Sequence, residues 1–335
     1  MMNIKYLCIF SLSVLAVTLA YSANRADNVQ KTGTSVVAAS PTVYVAGYAR
    51  NSQQSSIATY WKKHGEDAVR GITLGDGVVA NSIFAFGEDI HIAGTGYNSS
   101  GRNVAKYWRN GEVVSLTGGT RAESIFVSGK DVYIAGAESS GIDAVAKYWK
   151  NEKAVTLGNG IAFSIFVSGS DVFVAGFGGY AGAYWKNGKA IYLSDGNWAE
   201  SIFVSGRDIY VIGSGKSGGG KRVARYWKNG KEVSLLGGVE TTSIFVSGED
   251  LYITGYNRDG KDNYIGIYWK NGNAVPLSGC TEARSIFVFG DDIYIAGHGK
   301  NSAGKFVAMY WKNGEAVSLS DGKQDAKAYS IVVVP

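Results

Sequence analysis

The pair Tyr-Trp recurs at regular intervals, and this repeat constrains the fold more than any other feature of the 335-residue sequence. The seven copies begin at Tyr60, Tyr107, Tyr148, Tyr184, Tyr226, Tyr268 and Tyr310. The last four copies are 42 residues apart, and the earlier spacings are 47, 41 and 36 residues. A period in the forties is typical of four-stranded β-propeller blades. We therefore predict an all-β chain that folds as a single seven-bladed β-propeller with four antiparallel strands per blade.

The repeat unit from Ser243 to Thr281 shows how the four strands, named a to d, follow one another. They are strand a (Ser243–Val246), strand b (Leu251–Gly255), strand c (Ile265–Trp269) and strand d (Ala274–Leu277). Asn271-Gly272 predicts a tight hairpin turn between c and d, because both residue types tolerate positive φ. Pro276 lacks the N–H of an inner strand, which places strand d at the outer edge and strand a innermost. The Tyr-Trp pairs of strand c are then predicted to pack between blades rather than to stack on a ligand.

Strand a occurs once more often than strands b, c and d. Two copies, Ser35–Ala38 near the start of the repeat region and Ser330–Val333 at its end, are therefore candidates for the single strand a of the first blade. Either copy can complete the first blade. We favour residues 330–334 over residues 35–39, because the C-terminal copy is more apolar and richer in β-branched residues. A ring closed by the C-terminal strand also has no open sheet edge.

The first 23 residues have the composition of an export signal. Lys5 precedes an apolar run from Leu7 to Leu19, and small residues follow as a cleavage site. The run is shorter than the roughly 20 residues that a membrane-spanning helix needs. We therefore divide the chain into a signal peptide (1–23), a polar linker (24–34) and the propeller (35–335). The mature protein is expected to be periplasmic, on the cell surface or secreted, with no membrane span.

Segments of the form Ser-Ile-Phe-Val-Ser-Gly-x-Asp-Val-Tyr-Ile-Ala-Gly, followed by Tyr-Trp-Lys-Asn-Gly, resemble the repeats of a family of exported bacterial proteins. The resemblance covers about residues 35–334. It implies a propeller fold and carries no established activity. The architecture is also similar to that of WD40 and kelch propellers. The Trp-Asp pair of WD40 repeats and the Gly-Gly pair of kelch strand b are absent, so no functional residue is transferred from those families.

Function is predicted on the face of the disc that carries the b–c loops and the d–a crossings. These segments differ in sequence from unit to unit, whereas the turns of the opposite face are nearly uniform. Neutral drift of surface loops is the alternative explanation. Trp198 lies in the crossing from Asp195 to Glu200, where it can stack on a sugar ring or anchor a protein. Alternatively, Trp198 caps the core beside the short b–c loop Phe177–Gly182.

The residue directly before each strand a is expected to ring the mouth of the central channel. We call these seven positions the mouth residues: Asn81, Glu123, Phe163, Glu200, Thr242, Arg284 and Tyr329. Glu123 and Glu200 can act as the acid and base of a glycoside hydrolase if their separation is suitable. Solvated charges at the rim are the simpler interpretation.

These observations favour a non-catalytic binding propeller for a protein or glycan ligand. The predicted ligand-binding residues are Trp198, Glu200, Glu123, Arg284, Tyr180, His298 and Tyr256. A polysaccharide-acting enzyme and a structural surface protein are the alternatives. No cofactor or metal is expected, because the three histidines fall at unrelated positions. The net charge of +5 is not concentrated in a basic run, so nucleic acid is not an expected partner, and we expect a monomer.

Overall fold

The computed structural model of the protein describes residues 40–140, 143–179, 181–194, 196–217, 219–261 and 263–335. The predicted signal peptide, the linker and the N-terminal copy of strand a lie outside these ranges. The described residues form 27 β-strands and no helix, which confirms the all-β prediction. Accordingly, this part of the chain has no helix with the length and apolar character required to cross a membrane.

The strands follow the predicted repeat units. The first two units contain β1 (Thr42–Arg50), β2 (Ser56–His64), β3 (Arg70–Thr73), β4 (Gly77–Phe86), β5 (Asp89–Tyr97), β6 (Asn103–Arg109) and β7 (Glu112–Ser115). The next two contain β8 (Arg121–Ser128), β9 (Asp131–Ser140), β10 (Asp143–Lys150), β11 (Lys153–Ser168), β12 (Asp171–Gly178), β13 (Ala181–Lys186) and β14 (Lys189–Tyr192). The fifth and sixth contain β15 (Gly196–Ser205), β16 (Asp208–Lys216), β17 (Arg222–Lys228), β18 (Lys231–Ser234), β19 (Glu240–Ser247), β20 (Asp250–Arg258), β21 (Tyr264–Lys270) and β22 (Asn273–Pro276). The remaining strands are β23 (Glu282–Phe289), β24 (Asp292–Lys300), β25 (Phe306–Lys312), β26 (Glu315–Ser318) and β27 (Ala326–Val334).

These strands form antiparallel sheets in which sequence neighbours pair. Five sheets have four strands, and one has seven. The larger sheet arises because β11 is 16 residues long and takes part in two units. Its first part pairs with β10 as a strand d, and its second part pairs with β12 as a strand a. Pro276 lies in β22 at the edge of its sheet, as its missing N–H predicts.

The last strand belongs to the first sheet. β27 pairs antiparallel with β1, with Thr42 opposite Val334 and Val45 opposite Ile331. It also contacts β23 and β4, the a strands of the neighbouring units. Residues 330–334 therefore form strand a of the first unit, the position for which the sequence contains two candidate segments.

The seven Trp residues of the Tyr-Trp pairs form the core between sheets, with only 0–3% of each residue exposed. Trp108, for example, packs with Ala58 and Leu74 of the preceding sheet. Its indole Nε1–H donates to the Gly75 carbonyl at 3.1 Å, so the one polar group of the ring is satisfied. This burial confirms that the Trp residues of the pairs belong to the core and are not a surface for ligand stacking.

The a strands of successive units are connected by a repeated serine contact. The Ser82 hydroxyl oxygen accepts a hydrogen bond from the Ile125 N–H at 3.2 Å, and Ser124 does the same for Ile165. The contact between the last and first units follows this pattern, since Ser330 accepts from the Ile83 N–H at 3.2 Å. Phenylalanine side chains of neighbouring a strands also pack, with ring centroids 4.7–5.3 Å apart from Phe84 to Phe287.

Each strand a contains a β-bulge at the same position. The register with strand b skips one residue directly before the serine, and in all seven units the skipped residue is the mouth residue. The residue before it is buried in every unit and is alanine in six of them. Because a bulge leaves its extra residue unpaired and re-aims its side chain, the mouth residues are turned away from the sheet.

A glycine of strand b makes room for the bulge. At Gly136, an added Cβ would lie 2.1 Å from the carbonyl oxygen of Arg121. The equivalent distances at Gly94, Gly176 and Gly213 are 2.1, 2.1 and 1.9 Å. Only glycine permits so close an approach of the two backbones.

The face opposite the mouth is held by a repeated Asp–Asn contact between the two turns of a unit. Asn271 has a φ of 51°, and its side-chain oxygen accepts a hydrogen bond from the Leu251 N–H. Its amide nitrogen donates to Asp250 at 2.7 Å. The first unit departs from this pattern and uses a Thr42–His64 hydrogen bond of 2.9 Å instead. These contacts give a structural reason for the uniform sequence of the turns on this face.

We predict that Gly136→Ala lowers the free energy of unfolding by about 3 kcal/mol, because the new methyl group collides with the Arg121 carbonyl. Gly260→Ala is the matched control, since an added Cβ there meets no atom within 4 Å. Urea denaturation of both variants measures the difference. Equal stabilities of the two variants would show that the bulge does not depend on the glycine.

Candidate functional site

A cavity of about 560 Å³ opens where the a strands begin, at the end of the units that carries the b–c loops. All seven mouth residues line it, one from each repeat unit. The other lining residues are Tyr48, Ser56, Val78, Val79, Glu240 and Thr241. The position before strand a therefore converges on one cavity, as the sequence analysis expected. The volume lies within the range of about 300–1,000 Å³ that is usual for small-molecule sites.

Three carboxyl groups and one guanidinium line this cavity: those of Glu123, Glu200, Glu240 and Arg284. Amide, hydroxyl and aromatic groups of the other mouth residues stand between them. The lining thus combines hydrogen-bond acceptors, donors and apolar ring faces around a single space. Such a set can hold a polar ligand in a fixed orientation.

Glu123 is held by its neighbours. Arg121 donates to one carboxylate oxygen at 3.3 Å, and Asn81 donates to the other at 3.2 Å. Burial raises the pKa of the Glu123 carboxyl, although the nearby charges of Arg121 and Arg284 oppose this effect. The side chain keeps 21% of its surface exposed, so it remains accessible from the cavity.

Glu240 is held more tightly. Its Oε2 atom accepts a hydrogen bond from the Tyr256 hydroxyl at 2.5 Å and lies 3.3 Å from the Arg222 guanidinium. Burial and this hydrogen bond both raise the pKa of Tyr256, so the phenol stays protonated and donates to the carboxylate. Tyr256 therefore supports a cavity-lining carboxylate and is placed in strand β20, not in the predicted loop.

Glu200 differs from both, because no described residue forms a hydrogen bond or ion pair with its carboxyl group. Burial raises its pKa to about 7, and the neighbouring Glu240 adds to the effect. Near neutral pH, this carboxyl is therefore partly protonated. It can donate a hydrogen bond when protonated and attract a cation when ionised.

Arg284 and Tyr329 form another part of the lining, contributed by the last unit and by β27. The Arg284 guanidinium lies over the Tyr329 ring, 5.2 Å from its centroid, and the Tyr48 ring is 6.0 Å from that of Tyr329. Arg284 also lies 3.5 Å from Glu282, in a contact without hydrogen-bond geometry at Nε. Burial raises the pKa of Tyr329 to about 12, so its hydroxyl remains neutral.

An aromatic cluster adjoins the cavity at the fourth and fifth units. Trp198 packs against the mouth residue Phe163, with ring centroids 5.8 Å apart, and against Phe177 at 5.1 Å. All three rings are partly exposed. Trp198 lies in strand β15, so the prediction of a crossing loop is wrong for this residue. Its contact with Phe177 fits the alternative that it covers the core, while its contact with Phe163 places it beside the cavity.

His298, one of the predicted ligand-binding residues, lies in a strand and not in a b–c loop. It lies in β24 opposite Glu282, is 0% exposed and packs against Phe306. Burial lowers its pKa to about 2, so the ring stays neutral. A ligand in the cavity cannot reach it. Tyr180, the remaining predicted ligand-binding residue, lies outside the described residues.

The b–c loops are less varied in structure than in sequence. Five of them are closed by the same backbone hydrogen bond from residue i to residue i+4, as between Asn51 and Ser55 or between Asp259 and Asn263. Three asparagines and Asp259 also accept two backbone N–H groups of their own loops. The b–c loops therefore share a backbone conformation in five units, although their side chains differ.

No protein-family model matches the sequence, and no curated protein matches it. Solved structures are similar in fold. The β-propeller domain of the trilobed protease from Pyrococcus furiosus aligns with a TM-score of 0.51 and 13% identity, over 85% of this chain and 93% of that domain. TolB from Acinetobacter baumannii aligns with a TM-score of 0.47 and 13% identity, over 78% of this chain and 69% of its own. The first similarity, together with the four-stranded antiparallel sheets, shows that the chain is a β-propeller. The protease domain is described as having an open velcro topology, whereas β27 pairs with β1 here.

We predict that Glu200→Gln stabilises the protein at pH 8 but not at pH 4. The pKa of Glu200 is raised from 4.5 to about 7, so folding becomes less favourable as pH rises through this window and the carboxyl must ionise. The variant should exceed the wild type by about 2 kcal/mol at pH 8. Glu249→Gln, in an exposed turn of the opposite face, is the control. Chemical denaturation at both pH values measures the effect, and a pH-independent difference would contradict it.

Proposed function

We propose that this chain is a seven-bladed propeller whose mouth cavity binds a carbohydrate ligand outside the cytoplasm, without catalysing a reaction. One observation carries this proposal. Seven β-bulges in equivalent positions turn seven side chains of six residue types into one cavity, while the residues directly before and after each bulge are nearly the same in every unit. The scaffold does not fix the residue type at the mouth position. Because this position occurs in every unit around one cavity, it is suited to binding a ligand.

The number of blades and the closure of the ring are part of the proposal. They are supported by the seven Tyr-Trp units, by the double role of β11 and by the pairing of β27 with β1. The serine contacts between neighbouring a strands, including the one from Ser330 to Ile83, fit a closed ring. Membership of the exported repeat family and cleavage of the signal peptide remain predictions from the sequence.

The chemistry of the cavity favours a carbohydrate over an apolar molecule. Carboxylate, amide, hydroxyl and guanidinium groups are all present in the lining, and a sugar presents hydroxyl groups that both donate and accept. The rings of Phe163 and Trp198 offer a partly exposed apolar surface beside these groups, on which the C–H face of a sugar can pack. The size of the cavity suits one or two sugar residues.

Glycoside hydrolysis is a second candidate, because the pKa values of Glu123 and Glu200 are both raised. A carboxyl group with a pKa near 7 can serve as the general acid of such a reaction. The firm contacts of Glu123 with Arg121 and Asn81 argue against it as a nucleophile that must approach a sugar ring. We therefore place binding first.

Ring closure can be tested with a truncated protein. Removing residues 326–335 should lower the melting temperature, because the edge of β1 loses its partner strand. A synthetic peptide of residues 326–335 should restore it by pairing with β1, whereas a scrambled peptide should not. A truncated protein that melts like the full chain would contradict closure by β27.

Carbohydrate binding can be tested on a glycan array with the chain from residue 24 onward. The best ligand should lose affinity roughly tenfold or more in Phe163→Ala, because this removes an aromatic wall of the cavity. Phe86→Ala is the matched control, since Phe86 is 41% exposed and lies on the opposite face.

Each outcome has a distinct meaning. Equal losses in both variants would place the glycan outside the cavity. Absence of any bound glycan, together with capture of a protein from the cell envelope, would replace the carbohydrate by a protein ligand. Release of new reducing ends from a bound polysaccharide would identify an enzyme.

A further inference from the structure

We infer that the cavity recognises a positively charged amino group on its carbohydrate ligand, an amino sugar, and that Glu200 is the counter-ion. This inference rests on the proposed carbohydrate binding and names the class of sugar. It follows from the charge of the lining, from the free carboxyl of Glu200 and from the aromatic rings beside it.

The lining residues carry more negative than positive charge. Three carboxyl groups face the cavity, whereas Arg284 is the one basic residue among those that line it. Arg121 and Arg222 are not among the lining residues, and they form ion pairs with Glu123 and Glu240. The residues that line the cavity therefore make its wall acidic.

Glu200 is the carboxyl that is available to such a cation. Glu123 already accepts hydrogen bonds from Arg121 and Asn81, and Glu240 accepts one from Tyr256. No described residue donates to Glu200. An isolated carboxylate in a partly buried position is unfavourable unless a partner neutralises it, and a ligand ammonium can be that partner.

The charges around Glu200 come from four packed elements. Glu240 on β19 and Glu123 on β8 raise its pKa, while Arg222 on β17 and Arg284 on β23 lower it. Burial is the largest influence and also raises the pKa. Near neutral pH, the site thus retains a proton in the absence of ligand. An ammonium group bound at the same carboxyl would displace this proton.

The aromatic rings select a sugar over a simple polyamine. Trp198 precedes Glu200 by two residues on β15 and packs against Phe163, which lines the cavity together with the acidic groups. An amino sugar offers both features that this arrangement can use. Its ring face can pack on the aromatic side chains, and its ammonium can reach a carboxylate.

The test compares two ligands with the same sugar backbone, one with free ammonium groups and one with neutral acetamide groups in their place. Isothermal titration calorimetry of the purified protein would use the β-1,4-linked trisaccharide of glucosamine and its fully N-acetylated counterpart. We expect the amino form to bind at least tenfold more tightly at pH 6. Its binding should release about 0.9 proton at pH 6, since a group with a pKa of about 7 is mostly protonated there.

The pH dependence adds a second readout. From pH 6 to pH 5, where the ligand amine stays protonated, the Kd of the amino form should rise roughly tenfold for the wild type. In Glu200→Gln, both the preference for the amino form and the proton release should disappear. Glu249→Gln should behave as the wild type, because it lies in an exposed turn of the opposite face.

The outcomes separate this inference from the proposed function. Equal affinity for the two trisaccharides, or preference for the acetylated form, would overturn the amino-sugar inference and leave carbohydrate binding intact. Binding of the amino form without proton release, or unchanged in Glu200→Gln, would overturn the role of Glu200. If neither trisaccharide nor any array glycan binds, both the inference and the proposed function fail.

Discussion

In every repeat unit, the carbonyl oxygen two residues before the mouth residue lies over a glycine of strand b, so close that no side chain fits between them. At Gly213, an added Cβ would be 1.9 Å from the Trp198 carbonyl. This contact accommodates the bulge, and the bulge turns the side chain of the mouth residue toward the cavity. The position of the cavity thus depends on a backbone contact that is repeated seven times and involves no functional side chain.

The same contact separates the residues that build the scaffold from those that give the cavity its chemistry. In six units, alanine precedes the bulge and packs into the core, and the following serine accepts a hydrogen bond from the next unit in most of the repeats. Each of these positions has a packing or bonding requirement. The bulged residue is skipped by the strand ladder, so the scaffold does not require one residue type there. Its side chain can therefore be acidic at Glu200, basic at Arg284 or aromatic at Phe163 without loss of the fold.

Much of this arrangement can be predicted from the sequence, because the repeat is local. The Tyr-Trp period predicts the strands, Pro276 predicts an edge, and the residue before strand a predicts the cavity lining. The ends of the strands are harder to predict. Trp198 and His298 adjoin segments rich in polar residues and glycines, yet β15 and β24 extend through them. The two glycines beside His298, Gly297 and Gly299, serve the close approach of backbones rather than a turn. The sequence also does not predict which residues bond to Glu240, or that the Glu200 carboxyl has no hydrogen-bond partner among the described residues. Both depend on how side chains from different parts of the sequence come together.

The pairing of β27 with β1 has a consequence for the order of events in the life of the chain. During synthesis, one edge of β1 has no partner strand until β27 has been made, nearly 300 residues later. The first sheet therefore depends on a contact between residues that are very far apart in the sequence. Until residue 334 is present, β1 keeps an unpaired edge, and completion of the propeller is delayed. Here that delay is built into the topology, because the strand that completes the first sheet is the last to arrive.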